Sequence, residues 1–189
     1  MKKPGAVSQP TAIHPLVIRD LLDSCPEYIY KDKVALMNLI LWRHAEAEDT
    51  TPDLKRVLTR RGLKQATLMA QWLHAQLPPG TRVIASPAER TRQTAQALVS
   101  DFEIVNALAP GKGVEDLLAT VKWPDAGNDH TVLVVGHQPT LGQTAALLIG
   151  GAEAPWSIKK GAVWWISHRV RGAGAQAVLR MVMSPERLL

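Results

Sequence analysis

The sequence predicts an α/β fold: a three-layer sandwich whose mainly parallel central sheet is flanked by helices and ends in a C-terminal β-hairpin. Two observations carry that reading. From residue 38 onward, short apolar runs of strand length alternate with longer segments of helical spacing, the order expected when helices cover both faces of a parallel sheet. Near the end, two β-rich segments at 162–167 and 177–183 flank Arg171-Gly172-Ala173-Gly174, which reads as a hairpin turn. At 189 residues the chain fits one domain of the usual ~100–200 residues.

Residues 1–36 stand apart. Pro4, Pro10, Pro15 and Pro26 interrupt them, and only PLVIRDLLDS has the spacing of a short helix. They are expected to be an N-terminal extension, poorly ordered or a short helix, on a domain spanning 37–189, with Met37 a candidate for the native start. Asn38–Trp42 is a continuous apolar run, the mark of a strand buried on both faces. A helix is expected over 59–77, where Leu63, Ala66, Ala70, Leu73 and Leu77 recur at helical spacing. Thr59 is placed to cap it and Pro78-Pro79-Gly80 to end it. Arg82–Ala85 reads as a second strand, with a helix beginning near Pro87, where a missing N–H costs nothing. Glu103–Leu108 is expected as a third strand and Val114–Val121 as a short helix. Thr131–Val135 is rich in β-branched residues and reads as a strand, and Leu141–Ile149 as a helix closed by Gly150-Gly151. Trp42 and Trp72 are expected in the core, and Trp164 and Trp165 on opposite faces of the hairpin.

Composition narrows the function. The single Cys25 forms no internal disulfide and offers no metal framework, which suits a reducing compartment. No secretory signal or membrane-length apolar stretch is evident, so a cytoplasmic location is expected. The net charge is +5, and the longest basic cluster is Lys55, Arg56, Arg60, Arg61 and Lys64. No aromatic-interleaved basic stripe or zinc-finger spacing accompanies it, so nucleic acid is not an expected partner. His14, His74, His130 and His168 fall at no metal-ligand spacing, and neither metal nor cofactor is expected.

The chemistry collects at strand ends. LILW is followed by Arg43-His44, RVIA by Ser86-Pro87-Ala88-Glu89-Arg90, and TVLVV by Gly136-His137. Ligands of open α/β sheets bind at the carboxyl ends of the strands. If these strands are neighbours, two arginines and two histidines converge there. Guanidinium forks grip phosphate oxygens in pairs and keep their charge. An imidazole attacking phosphorus splits hydrolysis into two displacements, provided one ring nitrogen is unprotonated. Either residue type alone is usually structural; their joint placement points to phosphoryl chemistry.

That order, Arg43-His44, then Ser86-Pro87-x-x-Arg90-x-x-Gln93-Thr94-Ala95, then Gly136-His137, resembles the histidine phosphatase superfamily, of phosphoglycerate mutase-like fold. It spans roughly residues 37–183 and is most similar to the SixA-like branch of small phosphohistidine phosphatases. The resemblance extends to Arg-His-Ala in the first motif and to GHQPTLGQTAALL at 136–148. It implies His44 as nucleophile and Arg43, Arg90 and His137 as the phosphate pocket, with His137 donating to the transferring group. Arg92 is the less favoured pocket arginine, because the motif's spacing selects Arg90. Ser86, Gln93 and Thr94 are expected to shape the turn and helix, and the helix starts after Pro87 and Pro139 to offer N–H donors.

The acidic proton donor and Trp-Glu-Gly-like stretch of larger family members are missing. Glu46, two residues past His44, is the candidate donor; Glu115 and Asp116 are expected to be surface charges. A weak acid suits phosphohistidine, whose leaving imidazole can be protonated near neutral pH, since its pKa is about 6.5. The expected activity is removal of phosphate from phosphohistidine on a signalling or phosphorelay protein by a monomeric enzyme. The rivals are a phosphatase or mutase for a small phosphorylated metabolite and a non-catalytic phosphate-binding adaptor.

Overall fold

The computed structural model describes residues 36–124, 130–171 and 174–188. The expected extension at 1–36 therefore lies outside the described residues except for Leu36. Six strands form one sheet: β1 (Leu36–Arg43), β2 (Arg82–Ala85), β3 (Glu103–Ile104), β4 (Thr131–Gly136), β5 (Val163–Arg171) and β6 (Gly174–Met183). Their order across the sheet is β3-β2-β4-β1-β5-β6. The first four are parallel, and the β5–β6 hairpin is antiparallel, joined to β1 through β5. Four helices connect them: α1 (Arg60–His74), α2 (Glu89–Gln96), α3 (Val114–Val121) and α4 (Thr140–Gly150).

The strands are apolar on both sides because both sides are covered. Leu39 and Leu41 of β1 with Val132 and Val134 of β4 pack against Leu117 and Val121 of α3 and Leu141 and Ala145 of α4. The alternate residues, Ile40, Trp42, Leu133 and Val135, pack against Met69, Ala70 and Leu73 of α1 and Ala95 of α2. Each fully buried Leu, Ile, Val or Met among them contributes about 1.5–3 kcal/mol, so a charge at Leu133, in the middle of the central strand, would break the sheet. Trp164 and Trp165 do face opposite layers.

Two elements are shorter than expected. β3 is two residues long, and the rest of the expected strand is a 3-10 turn at Asn106–Leu108. The cause lies in its partner: β2 ends at Ala85, whose carbonyl takes the last ladder bond from Val105 N–H (2.9 Å), leaving nothing further to pair with. α1 ends at His74 rather than at 77. Gln76 and Leu77 both donate to the Leu73 carbonyl, tightening the last turn before Pro78, which disfavours helical backbone in the residue preceding it. At the other end Thr59 is the N-cap, its hydroxyl accepting from Gly62 N–H at 2.9 Å.

Candidate active site

The topology brings the three polar clusters together. β2, β4 and β1 are adjacent and parallel, so their carboxyl ends share one edge of the sheet. In register Arg43 pairs with Gly136, which seats the following residues, His44 and His137, side by side. Their ring centroids are 5.3 Å apart. His44 N–H donates to the Gly136 carbonyl (3.1 Å), and Gly161 N–H bonds the carbonyls of both Arg43 and His44.

Each side chain has a defined anchor. The His44 Nδ1 lies 2.7 Å from the Ala45 carbonyl oxygen. A carbonyl only accepts, so Nδ1 carries the hydrogen and the lone pair is left at Nε2. Arg43 Nη1 donates to the Ile158 carbonyl at 2.7 Å. Arg90, on the first turn of α2, is buried and donates from Nη1 to the Asp53 carbonyl (2.7 Å) and from Nη2 to the Asp53 carboxylate (3.0 Å). His137 Nε2 lies 2.7 Å from Ser86 Oγ. Arg43 Nε and His137 Nδ1 are buried without a hydrogen-bond partner among the described residues, as is Nε of Arg92. Arg92 itself pairs with Glu89 on its own helix, at 3.2 Å.

Both imidazoles are held neutral. Burial lowers the His44 pKa to about 4; the bond to Ala45 opposes that, and Arg90, Arg43 and Arg56 reinforce it. Burial takes His137 to about 3, helped by His44, Arg90 and Arg43 against an opposing contribution from Asp53. The two rings lie beside each other, the positive charges of Arg43 and Arg90 disfavour protonation of both, and each ring keeps one nitrogen lone pair at neutral pH.

A model of the histidine phosphatase superfamily (branch 1) matches residues 39–109. The phosphohistidine phosphatase SixA of Escherichia coli is 32% identical over 126 residues, covering 63% of this chain and 78% of its own. An uncharacterised protein of Picosynechococcus is 31% identical over 166 residues, covering 81% of this chain and 99% of its own. A solved structure of the protein histidine phosphatase SixA complexed with tungstate superposes with a TM-score of 0.67 at 30% identity, covering 81% of this chain and all of that one. The chain belongs to the histidine phosphatase superfamily.

Among the described residues the carboxylates of the acidic candidates from the sequence make no hydrogen bond or ion pair to Arg43, His44, Arg90 or His137. Glu46 Oε1 accepts from the Thr59 hydroxyl (3.0 Å) and Oε2 lies 3.7 Å from Arg61, at the start of α1. Asp116 caps α3 by accepting from Gly113 N–H, and Glu115 is exposed. Sequence reasoning missed Asp53, whose carboxylate joins Arg90 to Arg56 (3.0 and 3.1 Å). No motif marks it; it lies in the loop after β1, brought to Arg90 across 37 positions by folding. Burial raises the Asp53 pKa, but the hydrogen bonds from Arg90 and Arg56 outweigh that and hold it below its ordinary value. Sequence reasoning also gave Ser86 only a turn-shaping part. It does shape the turn, accepting from Ala88 N–H (3.4 Å), but the same hydroxyl orients His137. Gln93 and Thr94 are structural as expected, receiving the amides of Leu58 and Ala45. A small cleft lined by Lys112, Thr140 and Leu141 reaches His137 from the α4 side. Among the described residues no cluster of three or more His, Cys, Asp or Glu groups could hold a metal, and no helix is long and apolar enough to cross a membrane.

Proposed function

We propose that this histidine phosphatase removes phosphate from phosphohistidine on a protein, through a phosphoryl intermediate on His44. The observation that carries it is the neutral His44 ring, its lone pair fixed at Nε2 by the Ala45 carbonyl and set beside His137 between Arg43 and Arg90. His44 Nε2 forms a bond to phosphorus as the substrate's P–N bond breaks. That electron pair returns to the departing imidazole, whose other nitrogen takes up a proton from solvent so that it leaves as neutral imidazole. Water then attacks the phosphorus of phospho-His44, releasing phosphate and restoring Nε2. Arg43 and Arg90 neutralise charge on the equatorial oxygens, where most of the catalysis of phosphoryl transfer lies. His137 Nε2 lies within hydrogen-bond distance of Ser86 Oγ, and in the tautomer that accepts the serine hydrogen the partnerless Nδ1–H of His137 donates to the phosphoryl group.

The available acid supports this substrate over an ester. Expelling an alkoxide needs a protonated donor at the leaving oxygen. The carboxyl nearest the pocket arginines, Asp53, is held ionised by two guanidinium groups, and Glu46 is engaged at the α1 cap. An imidazole leaving group requires neither. The name of the Escherichia coli relative, a phosphohistidine phosphatase, agrees with this reading.

The test is phosphate release from a protein phosphorylated on histidine, beside a phosphate monoester at matched concentration. The protein should turn over much faster, and radiolabel should pass onto the wild-type enzyme as an acid-labile adduct that His44→Ala does not form. Preference for the ester, or equal labelling of His44→Ala, would overturn the proposal.

A further inference from the structure

Apart from Arg56, which helps to hold Asp53, the basic cluster of the sequence has no part in the chemistry above, yet it borders the pocket. Residues 54–64 hold five Lys and Arg and no acidic residue, and they follow a stretch, 46–53, that holds Glu46, Glu48, Asp49 and Asp53. Three large apolar side chains in the same stretch face solvent: Leu54, Val57 and Leu63, at 53, 42 and 50% exposure. The segment adjoins the site directly. Asp53, just before it, holds Arg90, and Leu58 N–H donates to Gln93 of α2 at 2.7 Å.

Stability does not explain this charge. α1 opens with Arg60 and Arg61 in its first turn and no acidic residue there, with Lys64 immediately after. Cations at a helix N-terminus oppose the macrodipole, costing about 0.3–1 kcal/mol each. Arg56 and Arg61 are offset by Asp53, Asp49 and Glu46, but Lys55, Arg60 and Lys64 make no ion pair among the described residues.

We propose that the exposed face of residues 54–64 is the docking surface for the phosphohistidine-bearing protein, and that it grips an acidic face with apolar residues beside the phosphorylated side chain. This rests on the phosphohistidine reading and adds the partner's surface chemistry to it. The opposite charge follows from the uncompensated cations, the apolar component from Leu54, Val57 and Leu63, and the position from continuity with Arg90. Such a surface acts by steering: long-range attraction raises the encounter rate and is screened by salt.

The experiment combines Lys55→Glu, Arg60→Glu and Lys64→Glu and compares the variant with wild type at low and physiological salt. The substrates are an acidic protein and a basic protein, each phosphorylated on histidine with phosphoramidate, and free phosphohistidine. At low salt the variant's kcat/KM for the acidic protein should fall about 30-fold and lose its salt dependence. Rates on free phosphohistidine should stay within about two-fold, because no pocket residue has changed. Thermal stability should equal or exceed wild type, since acidic groups now face the helix N-terminus. Unchanged kinetics on the acidic protein, an equal loss on free phosphohistidine, or preference for the basic protein would overturn the docking surface and leave the catalytic reading standing. So would vesicles of anionic phospholipid that bind wild type but not the variant while protein kinetics stay equal. A wild-type enzyme that hydrolyses only esters would instead remove the phosphohistidine reading, and this partner with it.

Discussion

The two ends of β1 are both polar, both buried and built on opposite terms. At the amino end, Asn38 is a hub. Its amide donates to Thr131 Oγ1 (3.2 Å), and its carbonyl oxygen accepts from Trp165 Nε1 (2.9 Å), Ser167 Oγ (2.6 Å) and Arg180 Nη1 (3.4 Å). At the carboxyl end, Arg43 Nε and His137 Nδ1 have no partner among the described residues, and two imidazoles are kept from protonating. A buried polar group normally has its hydrogen bonds. The amino end obeys that rule and ties β1, β4 and β5 together. The carboxyl end departs from it and holds its spare bonding capacity for a ligand. The difference separates polar groups whose hydrogen bonds are spent inside the fold from polar groups left with bonding capacity to spare.

Three changes break or sharpen this contrast. The largest effect is expected at Arg90. Arg90→Ala should lower kcat/KM on phosphohistidine about 10³-fold, or about 4 kcal/mol of transition-state stabilisation. Arg92→Ala, whose guanidinium pairs with Glu89, should cost less than about ten-fold. Steady-state kinetics on the two variants decide it, and equal losses would erase the distinction between them.

Next comes acid. His44 stays neutral down to about pH 4 when folded, against 6.5 for an ordinary histidine. Between those values the unfolded chain takes up a proton that the folded one refuses, so folding stability falls as pH drops through that window and levels off below it. At about 1.4 kcal/mol per pH unit, the wild type should lose about 3 kcal/mol more than His44→Asn between pH 7 and 4. Denaturant unfolding at several pH values measures this, and parallel losses in the two proteins would refute it. The smallest effect is expected at the other end of the strand. Asn38→Ala strands Thr131, Trp165 and Ser167 and should cost about 2 kcal/mol of stability. Its kcat should be that of wild type, and a matching loss of kcat would show that the hub also serves the site.

Most of the site was legible because its residues follow strands directly. Arg43, His44 and His137 lie at or just beyond the ends of strands that prove to be neighbours, while the choice of Arg90 over Arg92 came from the spacing of the family motif. Helix and strand positions came from the same apolar periodicity. The failures have a common physical cause, dependence on a distant partner. β3 stops where β2 stops, which Glu103–Leu108 alone does not reveal. Asp53 and Arg56 sit in a loop of no regular period and gain their meaning only from Arg90. Ser86 looked like a turn residue because it is one; its bond to His137 depends on the placement of β4 beside β2.

Gly62 gives this arrangement a consequence of its own. It lies in the first turn of α1, where a Cβ would overlap the carbonyl oxygen of Glu46, two residues past His44. Thr59 N–H bonds the same carbonyl at 3.0 Å, and Glu46 N–H donates to Gln65 of α1, also at 3.0 Å. The first turn of the helix and the segment carrying His44 are thus one rigid piece, and a molecule gripping α1 there is held at a set span from His44. Under the proposed function such a span works as a ruler: it would admit partners whose phosphorylated histidine stands at the matching distance from their gripping face and leave the others out of reach, whatever their affinity.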